Sequence, residues 1–302
     1  MTTRAGTGQS STTPVGLHTL AQAFSTATIR QMARSATVLP QQLLPVLDGA
    51  DPRDTLSAAF DSSYATLTRA YRNEYVYKNT LLRHATSTTE PPRPVNALLE
   101  LAAGQAVADV VTVGTTATAH EIKTDLDTLG RLDLQLSEYS RCFEYVNVVA
   151  SPTRAVRIAE RTAEHVGILA VESTGALTTL RSAKSHSQQI EHSHVFRILR
   201  RGEILAILQR QMGYQPDVPS AKLWSRTAGL FTQIPIDIAH REFVQELRSR
   251  DHKSFAQAQA IGLPESLYAN AYALKLTRPA WRRVQVHLSR RVGDTWQYIR
   301  PR

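Results

Sequence analysis

The chain of 302 residues is 42% hydrophobic and 20% charged, so it can bury a sizeable core and does not have the composition of a disordered polyampholyte. No apolar run approaches the roughly 18 residues that span a bilayer. The single cysteine, Cys142, excludes an internal disulfide framework and a zinc site built from cysteines. The first residues lack the apolar segment of a signal peptide, so we expect a cytoplasmic protein.

The amino-terminal part is predicted to be mostly helical. Residues 1–14 are rich in Thr, Ser and Gly and are predicted to be disordered. Residues 15–47 have the spacing of helices. A longer helix is predicted over residues 51–84, because it opens with an Asp-Pro pair and apolar residues then recur every three or four positions. A loop rich in Thr and Pro follows over residues 86–94.

The middle of the chain alternates strands and helices. Three strands are followed by a helix, a strand, a helix and a strand, predicted over residues 95–101, 107–113, 117–124, 125–143, 145–150, 153–165 and 166–171. This order predicts an α/β fold whose sheet combines an antiparallel meander with crossover strands. From residue 191 onward the sequence is mostly helical, with interruptions at prolines.

The net charge of +9 lies almost entirely in the last third of the chain. Residues 192–302 hold 18 Lys and Arg against 8 Asp and Glu, whereas residues 1–191 hold 17 against 18. A basic segment after a nearly neutral one suggests that one part binds a polyanion on which the other acts. A solvated, arginine-rich helical surface without a ligand explains the charge equally well.

Three charged residues lie within the predicted meander. Asp109 interrupts an apolar run, where an isolated charge is costly unless it is paired or bound to a metal. Glu121 and Lys123 lie in the next strand and project from the same face, because side chains alternate along a strand. Two carboxylates can hold Mg²⁺, for which Mn²⁺ can substitute, and the lysine can assist a water that attacks a phosphodiester.

The parity of these positions sets a geometric condition. All three numbers are odd, so the side chains share one face only if opposed residues of the hairpin sum to an even number. That condition requires a loop of odd length, or a bulge, around residues 114–116. His120 then projects to the opposite face, which favours a packing or surface role. The alternative is that Asp109 and the Glu-x-Lys strand are ordinary charges of an exposed strand.

The same residues carry a family resemblance. Residues of roughly 70–175 resemble the PD-(D/E)xK, or restriction-endonuclease-like, superfamily, with Asp109 at the position of its Asp and Glu121-Ile122-Lys123 at its (D/E)xK. Together with the segment from Tyr71 to Asn79, they resemble a little-characterised bacterial family of predicted nucleases, which also carries a helical carboxy-terminal part like residues 192–290. Ala108 replaces the proline of the superfamily name, a common departure that leaves metal binding intact.

The resemblance implies a restriction-endonuclease-like core within residues 15–190, with an amino-terminal helical extension, and a separate basic helical domain over residues 191–302. It implies Asp109, Glu121 and Lys123 as catalytic residues of a Mg²⁺-dependent nuclease, with the two carboxylates as metal ligands. In this superfamily the helix before the meander often adds a further Glu ligand, here Glu74. The helix after the Glu-x-Lys strand can add polar groups, here Gln135 and Tyr139. For each of these three residues an ordinary surface or core role remains an alternative.

The basic part is expected to hold the nucleic acid. Arginine pairs on helices suit phosphate contacts, and the candidates are Arg200, Arg201, Arg282 and Arg283. DNA is favoured over RNA as the partner, no membrane is expected, and a homodimer is compatible with the sequence.

Two alternatives stay open. One is a catalytically inactive member of the same fold that binds nucleic acid or protein. The other is a carboxylate-pair hydrolase such as a glycosidase, which the lysine and the basic surplus fit poorly.

Overall fold

The computed structural model describes residues 14–87, 96–250 and 253–299. Nearly all of the predicted disordered tail and most of the predicted 86–94 loop lie outside these residues. The strands are β1 (Asn96–Ala103), β2 (Ala106–Val113), β3 (Ala117–Lys123), β4 (Tyr145–Ala150), β5 (Gly167–Val171) and β6 (Leu177–Arg181). None of the described helices is long and apolar enough to cross a membrane.

The helices of the first half of the chain are α1 (Pro14–Gln22), α2 (Thr26–Met32), α3 (Leu44–Asp48), α4 (Leu56–Ala70), α5 (Glu74–Ser87), α6 (Leu132–Ser140) and α7 (Pro152–Arg161). Those of the second half are α8 (His192–Ile198), α9 (Arg201–Met212), α10 (Ser220–Phe231), α11 (Ile236–Ser249), α12 (Lys253–Ala260), α13 (Tyr268–Ala273), α14 (Arg278–Leu288) and α15 (Val292–Thr295). Short 3₁₀ turns lie at Gln41–Leu43, Ser187–Gln189, Glu265–Leu267 and Trp296–Tyr298.

The chain divides into two compact units. The helical unit comprises the described residues within Met1–Arg83, Ser173–Ala176 and His252–Arg302, and the sheet unit those within His84–Glu172 and Leu177–Asp251. The predicted boundary at residue 190 does not coincide with this division. Apolar side chains of α8 to α11 belong to the core of the sheet, whereas those of α12 to α15 share a core with α1 to α4. The burial of apolar faces, and not the change in net charge, therefore separates the units.

The sheet has six strands in the order β1-β2-β3-β4-β5-β6. The first three form an antiparallel meander, β3, β4 and β5 are parallel, and β6 returns antiparallel at the far edge. The predicted combination of a meander with crossover strands is confirmed at this level, and β4 has the predicted bounds. Strand β6 was not predicted from the sequence, because its residues, Leu-Thr-Thr-Leu-Arg, are mostly exposed and do not alternate between apolar and polar.

The hairpin of β2 and β3 meets the parity condition. Val110 pairs with His120 and Val113 with Ala117, so opposed positions sum to an even number and three residues, 114–116, connect the strands. The amide of Gly114 donates to the carbonyl oxygen of Thr116 at 2.9 Å, which closes the turn. The odd-numbered side chains of both strands therefore project from one face of the sheet.

Two crossover helices cover the sheet. Helix α6 packs against β2, β3 and β4, and α7 against β4, β5 and β6. The helix predicted over residues 125–143 begins only at Leu132, because Asp127 turns the chain beforehand. Its Oδ2 accepts from the amide of Thr124 at 2.7 Å. The guanidinium of Arg154 in α7 also donates to the backbone carbonyl oxygens of Asp125 and Asp127, which fixes this loop beside the end of β3.

The single helix predicted over residues 51–84 is two helices, α4 and α5. The first begins after Thr55, whose Oγ1 accepts from the amide of Ala58 at 3.2 Å. It ends at Tyr71, which has a non-helical backbone with φ −152° and ψ 78°. Asn73 then starts the second helix, because its Oδ1 accepts from the amide of Val76. Apolar periodicity continues across this break, so the spacing alone could not reveal it.

A substitution at Gly167 can test how closely the parallel strands are packed. A Cβ atom at this position would lie 1.9 Å from Oδ1 of Asn147 and 2.8 Å from the backbone nitrogen of Ala183. We expect Gly167→Ala to lower the free energy of unfolding by about 1–3 kcal/mol, the usual cost of overpacking. Urea unfolding measures the change. Gly114→Ala is the matched control, since no atom beyond its two chain neighbours lies within 4 Å of the added Cβ. Equal losses in the two variants would contradict this account.

Candidate active site

The charged residues of the meander meet on the sheet face that α6 covers. Because β2 and β3 pair with even sums, Asp109, Glu121 and Lys123 share this face. Glu121 is 2% exposed and Lys123 7%, while Asp109 is half-buried. Charges that are so deeply buried require partners, because an uncompensated charge in a protein interior is strongly destabilising.

The carboxylate of Glu121 has three donors on two elements. Its Oε1 lies 2.7 Å from Nζ of Lys123 and 2.6 Å from Nε2 of Gln135. Its Oε2 lies 2.7 Å from the hydroxyl of Tyr139. The ammonium of Lys123 also donates to Oε1 of Gln135 at 2.8 Å. Strand β3 and helix α6 thus form a closed polar cluster, which we call the Glu121 cluster, of Glu121, Lys123, Gln135 and Tyr139.

Asp109 is bound to the same strand through the backbone. Its Oδ2 accepts from the amide of Ile122 at 2.7 Å. The regular pairing of β2 with β3 reaches only Val110 and His120, so for the amide of Ile122, two positions further on, the carboxylate takes the place of a backbone acceptor. The side chain is therefore fixed beside Glu121, with its charge on the face of the Glu121 cluster.

Burial raises the pKa of Tyr139 far above its usual range, and the negative charge of Glu121 raises it further. The phenol therefore stays protonated. Its hydroxyl oxygen lies 2.7 Å from Oε2 of Glu121 and 2.7 Å from the carbonyl oxygen of Val107, and its single hydrogen serves these two acceptors. Tyr139 is both a core residue and a polar contact of the site. The two roles considered for Tyr139 from the sequence, packing in the core and contact with the site, are therefore compatible.

Helix α6 is fixed in turn by Glu138, a residue that the sequence did not single out. Its Oε2 accepts from the amide of Gln105 at 2.8 Å in the turn between β1 and β2. Gly104 precedes Gln105 with φ +61°, and a Cβ there would lie 1.6 Å from the same Oε2. The glycine turn was the available signal, but it did not indicate which side chain fills the space above it.

His120 projects from the other face, as predicted. Its Nε2 lies 3.0 Å from Oγ1 of Thr112, and its Nδ1 lies 3.4 Å from Nδ2 of Asn147. Burial lowers the pKa of His120 to about 3. A neutral imidazole that is enclosed in this way contributes to packing and not to the Glu121 cluster.

The remaining predicted residues do not belong to the Glu121 cluster. Glu74 begins α5 in the helical unit, where its half-exposed side chain forms an ion pair with Lys78 at 2.5 Å. The arginine pairs are divided between the units: Arg200 and Arg201 are exposed in the sheet unit, whereas Arg282 and Arg283 lie in α14 of the helical unit. Nε of Arg283 donates to a backbone carbonyl oxygen at 2.6 Å, so this side chain has a structural contact.

The donor set of the site fits a hard divalent cation. Asp109 and Glu121 supply carboxylate oxygens from neighbouring strands, and Mg²⁺ is usually held by one or two carboxylates, with waters and substrate phosphate completing its shell. Across residues 14–87, 96–250 and 253–299, no group of three or more His, Cys, Asp or Glu side chains is arranged to hold a metal ion. An ion here would take Oε1 of Glu121 in place of the lysine or glutamine donor.

The fold and the cluster define a mixed α/β protein with a buried carboxylate–lysine site on one face of its sheet. The chain belongs to the bacteriophage P4 protein cII family, whose sequence model matches residues 68–264. Protein cII of Enterobacteria phage P4 is 30% identical over 103 residues, which are 34% of this chain and 36% of that protein. The chain thus spans about a third of the length of the curated relative it matches. No solved structure matches it significantly.

The coupling between Lys123 and Glu121 can be measured by a double-mutant cycle. Lys123→Met leaves a buried carboxylate without its cation, so we expect a loss of about 3–5 kcal/mol in the free energy of unfolding. Adding Glu121→Gln should recover most of this loss, because the charge is removed and the amide keeps an acceptor for Gln135. Lys184→Met is the control, since that lysine forms an exposed ion pair with Glu164. Additive effects in the cycle would contradict the proposed coupling.

His120 should remain neutral across the physiological range. With a folded pKa of about 3 against about 6.5 unfolded, its imidazole resonances should not shift between pH 8 and pH 5 in NMR spectra. Since the unfolded chain binds the proton more tightly, the stability linked to His120 is complete above about pH 6.5 and falls as the pH drops towards 3. The same histidine in urea, with its ordinary titration, is the control. A titration near pH 6 in the folded protein would contradict its enclosure.

Proposed function

We propose that this chain is a Mg²⁺-dependent nuclease with a restriction-endonuclease-like core, which hydrolyses phosphodiester bonds in DNA. One observation carries the proposal: Asp109, Glu121 and Lys123 lie on one face of an antiparallel hairpin, and β3 continues through a crossover helix into a parallel strand. The order of elements supports it further: a helix, α5, precedes the meander of β1, β2 and β3, and another, α6, follows the Glu-x-Lys strand, as the resemblance implies.

In this proposal the two carboxylates and the lysine have different roles. Asp109 and Glu121 would hold the ion, which supplies an activated water and stabilises charge on the phosphate when bound. Lys123 projects beside Glu121, where its ammonium can orient the attacking water and offset negative charge that develops on the phosphate oxygens. The buried position of the ammonium strengthens these interactions, because little solvent screens them.

Gln135 and Tyr139 act as positioning residues in this proposal. The amide of Gln135 donates to Glu121 and accepts from Lys123, so it fixes the distance between carboxylate and ammonium. The hydroxyl of Tyr139 orients the second carboxylate oxygen. Such support matters, because catalytic groups lose efficiency when they deviate by about 1 Å from the productive geometry.

DNA would be held by exposed basic side chains of the sheet unit, among them Arg200 and Arg201. Contacts of this kind go to phosphates and supply affinity without reading the sequence. Glu74, which the resemblance implies as a further ligand, pairs with Lys78, whose side chain is buried, so we do not include it in the proposal.

A catalytically inactive nuclease-like module is the second candidate, and the saturation of Glu121 favours it. Three donors already occupy its two oxygens, and the residue is 2% exposed. A cluster that is closed in this way can serve the fold alone. In that case the chain binds nucleic acid or protein without cutting it.

Isosteric variants test the nuclease, because truncating Lys123 endangers the fold. Asp109→Asn keeps an oxygen that can accept from the amide of Ile122 but removes the charge, so we expect cleavage to fall at least about a hundredfold with folding intact. Glu121→Gln should behave alike. Asp237→Asn is the control, because this carboxylate is exposed in the same unit.

The assay uses single- and double-stranded DNA and RNA with Mg²⁺, Mn²⁺ or EDTA, and a stability measurement for each variant. If the wild-type chain cleaves none of these substrates, the result contradicts the proposed nuclease activity and supports the inactive module. Cleavage by Asp109→Asn at the wild-type rate would show that the site is wrongly assigned.

A further inference from the structure

A groove between α9 and α10 of the sheet unit exposes an aromatic ring. It is lined by apolar side chains, among them Ile204, Leu205 and Leu223, with Arg201 and Trp224 at its surface. Trp224 is 55% exposed, which is unusual for the largest apolar side chain. Phe196 of α8 packs edge-on against the indole, with ring centroids 4.7 Å apart and an angle of 61° between the planes. The ring is thus supported from behind while much of its surface remains open.

Helices α8, α9 and α10 carry more cationic than acidic side chains. Arg197, Arg201 and Lys222 are exposed and form no ion pair with any residue in the described part of the chain. The nearby acidic side chains are already neutralised: Asp217 pairs with Arg226 at 2.9 Å, and Glu203 pairs with Arg250 at 2.8 Å. An exposed aromatic ring beside Arg201, on a surface with further unpaired cations, is therefore complementary to a polyanion that also offers flat apolar faces.

We propose that this groove binds single-stranded nucleic acid, with an unpaired base stacked on Trp224 and the adjacent phosphate bound by Arg201. Every base offers a π-face, and stacking on an aromatic side chain binds unpaired nucleotides regardless of sequence. Bases of an intact duplex are already stacked on one another, so the indole selects strands with unpaired nucleotides. The proposal rests on the proposed function, because it names the form of substrate that the sheet unit would hold.

The groove and the Glu121 cluster are joined through two helices. Glu138, adjacent to Tyr139 in α6, lies 3.7 Å from Nε2 of His194 in α8, and α8 carries Phe196, the support of the indole. The same hydrophobic core contains both Tyr139 and Phe196. A strand bound at Trp224 would thus lie on the same packed core that positions Glu121.

Binding of fluorescently labelled oligonucleotides to the full chain tests the stacking contact. A single-stranded oligothymidine and a duplex of equal length are titrated in EDTA, so that cleavage cannot interfere. Trp224→Ala should weaken single-strand binding about tenfold, the usual effect of removing one stacking platform, and leave duplex binding unchanged. Trp224→Phe should retain most of the affinity. Trp296→Ala is the control, because that tryptophan is 43% exposed but lies outside the sheet unit.

The phosphate contact is tested by the salt dependence of single-strand binding. Arg201→Ala should reduce the slope of log affinity against log salt by about 0.7, the value for one phosphate contact on a single strand. Arg201→Lys should keep the slope. Arg241→Ala is the control, since Arg241 is exposed in the same unit but pairs with Asp237 at 3.5 Å.

The outcomes separate this inference from the nuclease. Unchanged single-strand binding by Trp224→Ala overturns the stacking site, even if Asp109-dependent cleavage of DNA is found. Equal weakening of single strands and duplexes overturns the preference for unpaired bases. A change from dimer to monomer on Trp224→Ala, with oligonucleotide binding intact, shows that a second copy of the chain occupies the groove. Selective loss of single-strand binding supports the inference, and a chain that binds in this way but never cuts contradicts only the nuclease.

Discussion

The carboxylate of Glu121 is the group on which the geometry of the sheet unit depends. It is buried almost completely, so its charge must be matched at close range, and its donors come from β3 itself and from α6. This requirement fixes two things together. A slip of β3 by one residue would turn Glu121 to the opposite face, and a rotation of α6 would remove Gln135 and Tyr139 from its oxygens. Register and helix orientation are thus coupled through one side chain.

The same contacts serve both fold and chemistry. Lys123 neutralises Glu121 in the cluster, yet an ion bound by Glu121 and Asp109 would compete with that ammonium for Oε1. If Asp109 and Glu121 hold a divalent cation, as we propose, that ion would replace the ammonium of Lys123 as the positive partner of Glu121. The three donors of Glu121 also fit an inactive module, so they do not by themselves decide between the two proposed functions.

Several features could be predicted from the sequence because they follow from local rules. Parity along two strands set the condition under which Asp109, Glu121 and Lys123 share a face, and the register meets it. The apolar run of β4 predicted its bounds. The failures have tertiary causes. The start of α6 depends on a turn held by Asp127 and by a distant arginine, and the break between α4 and α5 depends on a cap within a continuous apolar pattern. Spacing records which residues are apolar, but not where a side chain replaces a backbone hydrogen bond.

The division of the chain into units changes how its charge must be interpreted. The basic carboxy-terminal third is not one domain, because α8 to α11 complete the core of the sheet while α12 to α15 complete that of the amino-terminal helices. The charge count over residues 192–302 therefore combined cations that belong to two different units. The exposed cations of α8 to α10 belong to the same unit as Glu121, and Arg201 lines the groove that exposes the indole of Trp224. Phe196, which supports the indole, and Tyr139, which contacts Glu121, belong to one hydrophobic core. A polyanion bound at this groove would therefore lie on the same unit as the buried carboxylates.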